Sequence, residues 1–239
     1  MRWEVVPGSP PFIVSSPSAL FPSGPVTVRE LRESPRMPGR YLVVLSDGQK
    51  CVVGIEALSE AGATRVGASV DGVQLERLLR ASAVTALVDR ALNSMARGRR
   101  TRRELEMRLR RVEPDARLVG EALDRLEASG VLSDTEVARA EASARLRRGE
   151  APARVNQILR RKGVEARGAA EAIAEAVETD GFDEVAACRA QAEKRWRALS
   201  KLEPAVARRR LVAFLQRRGF GGGVIRTVLD ELQRGSTSE

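Results

Sequence analysis

Arginine carries the chemistry legible in this chain. It is clustered at Arg97, Arg99, Arg100, Arg102 and Arg103, and again at Arg145, Arg147, Arg148 and Arg154. Further groups are Arg160, Arg161 and Lys162, then Arg208, Arg209 and Arg210, then Arg217 and Arg218. A guanidinium is a planar fork that donates two parallel hydrogen bonds to a phosphate or a carboxylate. Any single arginine reads as a solvated surface cation beside a glutamate. Taken together, the clusters read as a surface for a polyanion.

The charge balance agrees. The 239 residues hold 41 Lys and Arg against 32 Asp and Glu, a formal net charge of +9. Up to Arg80 there are 9 basic and 8 acidic residues, and the remainder holds 32 and 24. A basic second part points first to nucleic acid. With 37 Arg and only 4 Lys, codon bias is a competing source of the arginine count.

Other chemistry is scarce. The chain has no histidine, which excludes Ser-His-Asp and Cys-His catalysis and any His-ligated metal. Cys51 and Cys188 form no CxxC pair and are expected as buried reduced thiols, with a disulfide as the alternative. No GxxxxGK[ST] loop is present, and Gly221-Gly222-Gly223 lacks the Lys-Ser/Thr that would complete one. The acidic residues are scattered at surface-like positions and read as structural partners. The expectation is a protein that is not an enzyme and takes no cofactor and no metal. No apolar run approaches the ~18 residues of a membrane span, and Met1-Arg2-Trp3-Glu4 opens no signal core. A cytoplasmic protein is expected.

These side chains need positioning elements. Residues 1–25 carry six prolines and predict a disordered leader. Residues 26–80 predict a small β-rich module. Its strands are placed at Val26–Leu31, Arg40–Leu45, Lys50–Ile55 and Arg65–Val70, with Asp47-Gly48 as a tight hairpin turn and a short helix at Ile55–Ala61. Asp71 is a candidate N-cap for a helix through Leu79. From Val84 onward the pattern is amphipathic helix of ~10–16 residues. Aromatics make up 3%, and the Ala, Leu, Arg and Glu bias favours helix. Trp196 and Phe214 are expected in the core, and Phe220 as a wedge at a helix junction.

The chain also aligns with itself without gaps over residues 95–126, 145–176 and 201–232. Apolar residues recur at the same offsets: Leu105, Leu109, Val119, Leu123 and Leu126; Val155, Leu159, Ala169, Ile173 and Ala176; Leu211, Leu215, Ile225, Leu229 and Leu232. Glu113-Pro114, Gly163-Val164 and Gly219-Phe220 fill the same turn. Arg110-Arg111, Arg160-Arg161 and Gln216-Arg217 end the same helix, so stacking would align the basic clusters into a stripe. A helix precedes each segment, at Val84–Met95, Thr135–Arg147 and Glu184–Leu199, the second with Ser133 and Glu136 spaced as a capping box. The predicted fold is mainly α: three tandem three-helix repeats at 81–132, 133–180 and 181–239 forming an elongated curved body, preceded by the β-rich module. The last repeat ends in a short polar tail.

Within this frame the order of motifs resembles the RecX family, regulators of the bacterial recombinase RecA. The first repeat has Arg97-Gly98-Arg99-Arg100-Thr101-Arg102-Arg103-Glu104-Leu105, like the family's basic stretch and Ser-x-x-Glu-Leu. Thr101 keeps the capping box with Glu104. Gly130-Val131-Leu132, Asp134 and Val137-Ala138 follow, with valines where aromatics are usual. Arg154-Val155, Leu159 and Lys162-Gly163-Val164 match in the second repeat, and Phe214-Leu215-Gln216-Arg217-Arg218-Gly219-Phe220 in the third. The resemblance spans about Val84 to Leu232. It implies a monomer that binds the RecA–single-stranded DNA filament and contacts DNA directly or through it. Suppression of ATP hydrolysis and strand exchange, with filament disassembly or blocked growth, would follow. The rival reading is a stand-alone helical DNA-binding protein acting on duplex or single strands.

Overall fold

In a computed structural model, residues 26–35 and 37–236 are described, with the side chains of 233–236 left aside. The expected leader over 1–25 lies outside the described residues. The described chain is mainly helical with a small antiparallel sheet, and it divides into two compact units. One comprises the described part of Met1–Gly98 together with Leu105–Ser129. The other comprises Arg99–Glu104 and Gly130–Glu239.

In the first unit, β1 (Val26–Glu33), β2 (Arg40–Leu45), β3 (Lys50–Gly54) and β4 (Ser69–Val70) form a sheet in the order β3-β2-β1-β4. Side chains alternate across a pleat, so one face of each strand is apolar. Val43, Leu45, Cys51 and Val53 fill that face and pack with Leu58, Leu75 and Leu78. The β2–β3 turn uses Gly48 at φ 86°, and the Asp47 carboxylate accepts from the Gln49 N–H at 3.0 Å. The strand expected from Arg65 is only Ser69–Val70. The Gly67 N–H is instead drawn to the Val28 carbonyl at 2.8 Å, in a turn that feeds the edge.

Helix α1 spans Ile55–Glu60 and α2 spans Gly72–Met95. The second corrects an expectation. The helix placed at Val84–Met95 begins twelve residues earlier and is continuous with the one capped by Asp71. Asp71 and Gln74 form a reciprocal capping box. Nothing between Leu79 and Val84 breaks a helix, since Arg80-Ala81-Ser82-Ala83 holds neither Gly nor Pro. Arg40 ties the sheet to α2, its guanidinium donating to Thr85 Oγ1 at 3.3 Å and meeting Asp89 at 3.4 Å. The Asp89 carboxyl is pushed above its ordinary pKa by burial, against the pull of Arg40.

Helix α3 (Arg102–Leu109) starts in the second unit and ends in the first, where α4 (Ala116–Ala128) packs on α2. The second unit continues with α5 (Asp134–Arg147), α6 (Pro152–Arg161) and α7 (Ala166–Asp180), and then α8 (Glu184–Leu199), α9 (Pro204–Arg217) and α10 (Gly222–Ser236). The repeat offsets are the core positions. Fourteen of the fifteen are buried, and Leu232 is partly buried. Phe220 is buried at the α9–α10 turn, as a wedge should be. Of the predicted caps, Asp183 accepts from the Val185 and Ala186 N–H groups. Ser133 accepts from Glu136 N–H at 3.2 Å, but the Glu136 carboxylate turns to Arg139 at 3.1 Å, so only half of that capping box forms. Gly222 and Gly223 form the first turn of α10. Trp196 is 39% exposed on α8 rather than in the core, and residues 193–198 of that helix are exposed throughout.

Cys51 and Cys188 are both buried and unpaired, and burial pushes each thiol up to about 11. Nearby Asp47 and Glu184 add to the respective shifts. Both are therefore poor nucleophiles at neutral pH.

Candidate functional site

Two equivalent junctions organise the second unit. At the first, Thr101 is fully buried, and its hydroxyl donates to the Lys162 carbonyl at 2.6 Å. Thr101 and Glu104 form the predicted capping box, with N–H to carboxylate at 3.0 Å and N–H to hydroxyl at 3.3 Å. Gly163, at φ 95°, sits where a Cβ would lie 2.6 Å from Arg103 Cβ. At the second junction, the Ala151 N–H donates to the Arg218 carbonyl at 3.0 Å. Gly219, at φ 89°, sits where a Cβ would lie 2.5 Å from Arg154 Cβ and 2.7 Å from its backbone nitrogen. Ala151 is the repeat counterpart of Thr101, and Arg218 that of Lys162. The same turn therefore meets the same helix start twice.

The electrostatics of the two junctions differ. At the first, Lys162 meets Glu141 at 3.2 Å, and Arg145 meets the same carboxylate at 2.6 Å. Burial alone would raise the Glu141 pKa, but hydrogen bonds from Arg145 and Lys162 outweigh it and hold the carboxyl below its ordinary range. Those bonds and charges likewise raise the Arg145 pKa against its own burial. A depressed carboxylate stabilises the fold above the unfolded glutamate pKa of ~4.3, and that contribution is lost as pH falls through the lower folded value. Glu141→Gln is therefore expected to cost about 1–2 kcal/mol at pH 7. The gap between mutant and wild type should narrow as pH falls below ~4.3 in urea titrations. Asp134 works in the opposite direction. Burial raises its carboxyl despite the Arg102 N–H bond at 2.7 Å, so protonating it favours the fold.

The second junction gathers cations. Arg145, Glu150, Arg154, Arg217 and Arg218 line an open cleft of about 220 Å³. Arg145 is occupied by Glu150 at 3.0 Å as well as by Glu141. Arg218 lies over the Phe214 ring at 5.1 Å and donates to the Arg148 carbonyl at 3.3 Å, so it is held in place. Arg195 lies over the same ring at 5.5 Å, and Phe214 is partly buried.

The remaining candidates are dispersed. Arg97, Arg99 and Arg103 are exposed, and Arg100 is half-buried with its Nε buried and unpartnered. Arg102 is half-buried beside Asp134. Arg147 is exposed and meets Asp180 at 3.6 Å, and Arg148 is exposed and offers its carbonyl to Gln191 at 3.1 Å. Arg160 donates to the Val164 carbonyl in the turn after α6 at 3.1 Å, and Arg161 is exposed. Arg208, Arg209 and Arg210 are all exposed on α9, which spreads them around the helix. Of the arginines named from the sequence, the structure brings Arg145, Arg154, Arg217 and Arg218 into one cleft. Glu150, which tempers the cleft, had no sequence signal beyond its turn between two arginine groups. Among the described residues no group of three or more Cys, Asp or Glu is placed to hold a metal, and no helix is long and apolar enough to cross a membrane.

A sheet module followed by tandem three-helix repeats, with cations collected at a repeat junction, defines a helical-repeat protein. Its kinship is specific. Residues 183–229 match the family model described as RecX, third three-helix domain. The Regulatory protein RecX of Deinococcus radiodurans is 40% identical over 152 residues, covering 63% of this chain and 68% of that one. That of Halorhodospira halophila is 36% identical over 145 residues, covering 61% and 87%. A crystal structure of regulatory protein RecX superposes with a TM-score of 0.66 at 19% identity, covering 86% of this chain and 99% of that one. RecX from Lactobacillus salivarius gives 0.53 at 22% identity, covering 63% and 97%. The chain belongs to the RecX family of regulatory proteins.

Proposed function

We propose that this protein regulates a RecA recombinase, mostly as an inhibitor. It binds the RecA–single-stranded DNA filament, suppresses its ATPase and strand exchange, and promotes disassembly or blocks extension. It acts as a cytoplasmic monomer through binding and not through catalysis. The observation that carries the reading is family membership, with the matched residues 183–229 including Arg208, Arg209, Arg210, Arg217 and Arg218. Arg97, Arg99, Arg100, Arg102 and Arg103 in the first repeat, Arg147, Arg148, Arg154, Arg160, Arg161 and Lys162 in the second, and Arg208, Arg209, Arg210, Arg217 and Arg218 in the third are the proposed contacts. Repeated weak contacts on a repetitive partner act together, so affinity grows without one dominant site.

The test is the ATPase rate of RecA on single-stranded DNA, titrated with this protein below one copy per recombinase monomer. Strong inhibition at substoichiometric ratios is expected, because a capped or bridged filament silences many subunits. Inhibition only near saturation of the DNA would indicate simple competition for DNA. An unchanged rate would refute the regulatory reading for this chain.

A further inference from the structure

We propose that the cleft at the junction of the second and third repeats is a phosphate-binding site for single-stranded nucleic acid. Arg154, Arg217 and Arg218 are its ligating groups. The inference deepens the filament reading above and rests on it for the identity of the polyanion.

The argument begins with charge. Four arginines and one glutamate line the cleft. The glutamate faces Arg145, whose Nη1 reaches both Glu150 oxygens, at 3.0 and 3.1 Å. That pairing leaves three cations facing one opening. Arg154 and Arg218 are half-buried, and Arg217 is exposed at the mouth. Gathering like charges is unfavourable unless an anion joins them. The cleft is also too small and polar for a drug-sized apolar ligand. Its volume suits a phosphate group with part of a sugar.

Preorganisation is the second strand. Arg154 projects from the first turn of α6, and its backbone is wedged against Gly219. Arg217 and Arg218 end α9, just before that glycine. The junction thus fixes the spacing of groups that come from two repeats. The Phe214 ring supports the Arg218 guanidinium, lowering the entropy lost when it binds.

The equivalent junction is an internal comparison. There the counterpart of Arg154 is Glu104, committed to capping the N–H of Thr101. The counterpart of Arg218 is Lys162, neutralised by Glu141. The counterpart of Arg217 is Arg161, also exposed, so the backbone arrangement and one terminal arginine occur twice, and the second junction adds Arg154 and the ring-supported Arg218.

The experiment measures binding of fluorescein-labelled oligo(dT) to the full chain by anisotropy, without recombinase, across a salt series. Arg154→Gln/Arg217→Gln is compared with Arg139→Gln/Arg167→Gln, which removes equal charge from acid-paired positions. Circular dichroism checks that both variants remain folded. The cleft variant should bind about tenfold or more weakly, and its salt slope should fall by about 1.4, two phosphates at ~0.7 each on a single strand. The control should change binding less than threefold. Equal losses in the two variants, or none in the first, would overturn the proposal. Calorimetry with tripolyphosphate separates the sources. If the cleft variant loses tripolyphosphate but keeps oligo(dT), the cleft serves a free anion and the nucleic-acid assignment fails. The ATPase titration judges the regulatory reading independently. A variant that loses oligo(dT) yet still silences RecA supports the cleft and assigns regulation to protein contacts.

Discussion

Alanine in place of Gly219 is expected to cost about 2–5 kcal/mol, the larger backbone effect available in the second unit. Two terms contribute. At φ 89° an L side chain crowds its own carbonyl, which costs roughly 1–2 kcal/mol. The new Cβ would also fall 2.5 Å from Arg154 Cβ, 2.7 Å from its N and 3.1 Å from its Cα. Those atoms belong to the rigid first turn of α6, so relief requires moving a helix, and overpacking of this kind costs about 1–3 kcal/mol. Gly130 supplies the control. Its φ is 71°, but a Cβ there would meet nothing within 4 Å. Gly130→Ala should therefore cost only the conformational part, about 1–2 kcal/mol. Urea unfolding followed by circular dichroism reads the difference. Near-equal costs would mean that the junction yields easily. Because Arg154 and Arg218 flank Gly219, the same substitution should also weaken oligo(dT) binding.

The repeat was legible in the sequence because it is written in helical offsets. A side chain every three or four residues on one face has to be buried, whichever neighbour covers it. The Gly163 and Gly219 turns were legible for the same local reason. What escaped depends on the absence of a breaker or on distant partners. The length of α2 follows from the lack of any residue between Leu79 and Val84 able to stop it. Trp196 fits an apolar stripe by spacing, yet residues 193–198 of α8 are all exposed before Leu199 returns to the core. Spacing cannot say where the covering helix ends. The basic stripe was legible only as composition. Arg154 comes together with Arg217 and Arg218 because two helix termini meet at a glycine, a convergence across about sixty residues of chain. Other candidates, such as Arg147 and Lys162, are engaged by Asp180 and Glu141, whose positions no local pattern specifies.

Leu159→Ala is the second large effect, and the repeat gives it a matched partner in Leu215→Ala. Both leucines occupy the same offset, and both are fully buried. Leucine-to-alanine changes in cores cost about 2–5 kcal/mol, the spread reflecting how far the surroundings collapse into the cavity. The two cores differ in that respect. Around Leu159 lie Ala138, Ala142, Ala169, Ala172 and Ala176, with Leu146, Val155, Val164 and Ile173 as the larger neighbours. Alanines bring α5 and α7 close together and have no rotamers with which to fill a gap. Around Leu215 lie Leu199, Leu211, Phe220, Ile225, Val228 and Leu229, with Cys188 and only three buried alanines, Ala151, Ala192 and Ala207, and with Phe214 and Leu232 at the edge. These longer side chains can rotate into a void. The cost at Leu159 is therefore expected near the top of the range and that at Leu215 nearer the bottom, about 4 against 3 kcal/mol. Urea midpoints measured on both variants of the full chain test the order. The reverse order would mean that helix movement, rather than side-chain rotation, closes cavities in this fold. The functional consequence also separates them. Leu215 underlies the α9 terminus that carries Arg217 and Arg218, so its loss should reduce oligo(dT) affinity even where the chain stays folded. Leu159 lies in the last turns of α6, away from Arg154 in its first turn, so its loss should lower stability with a smaller loss of oligo(dT) affinity than Leu215→Ala.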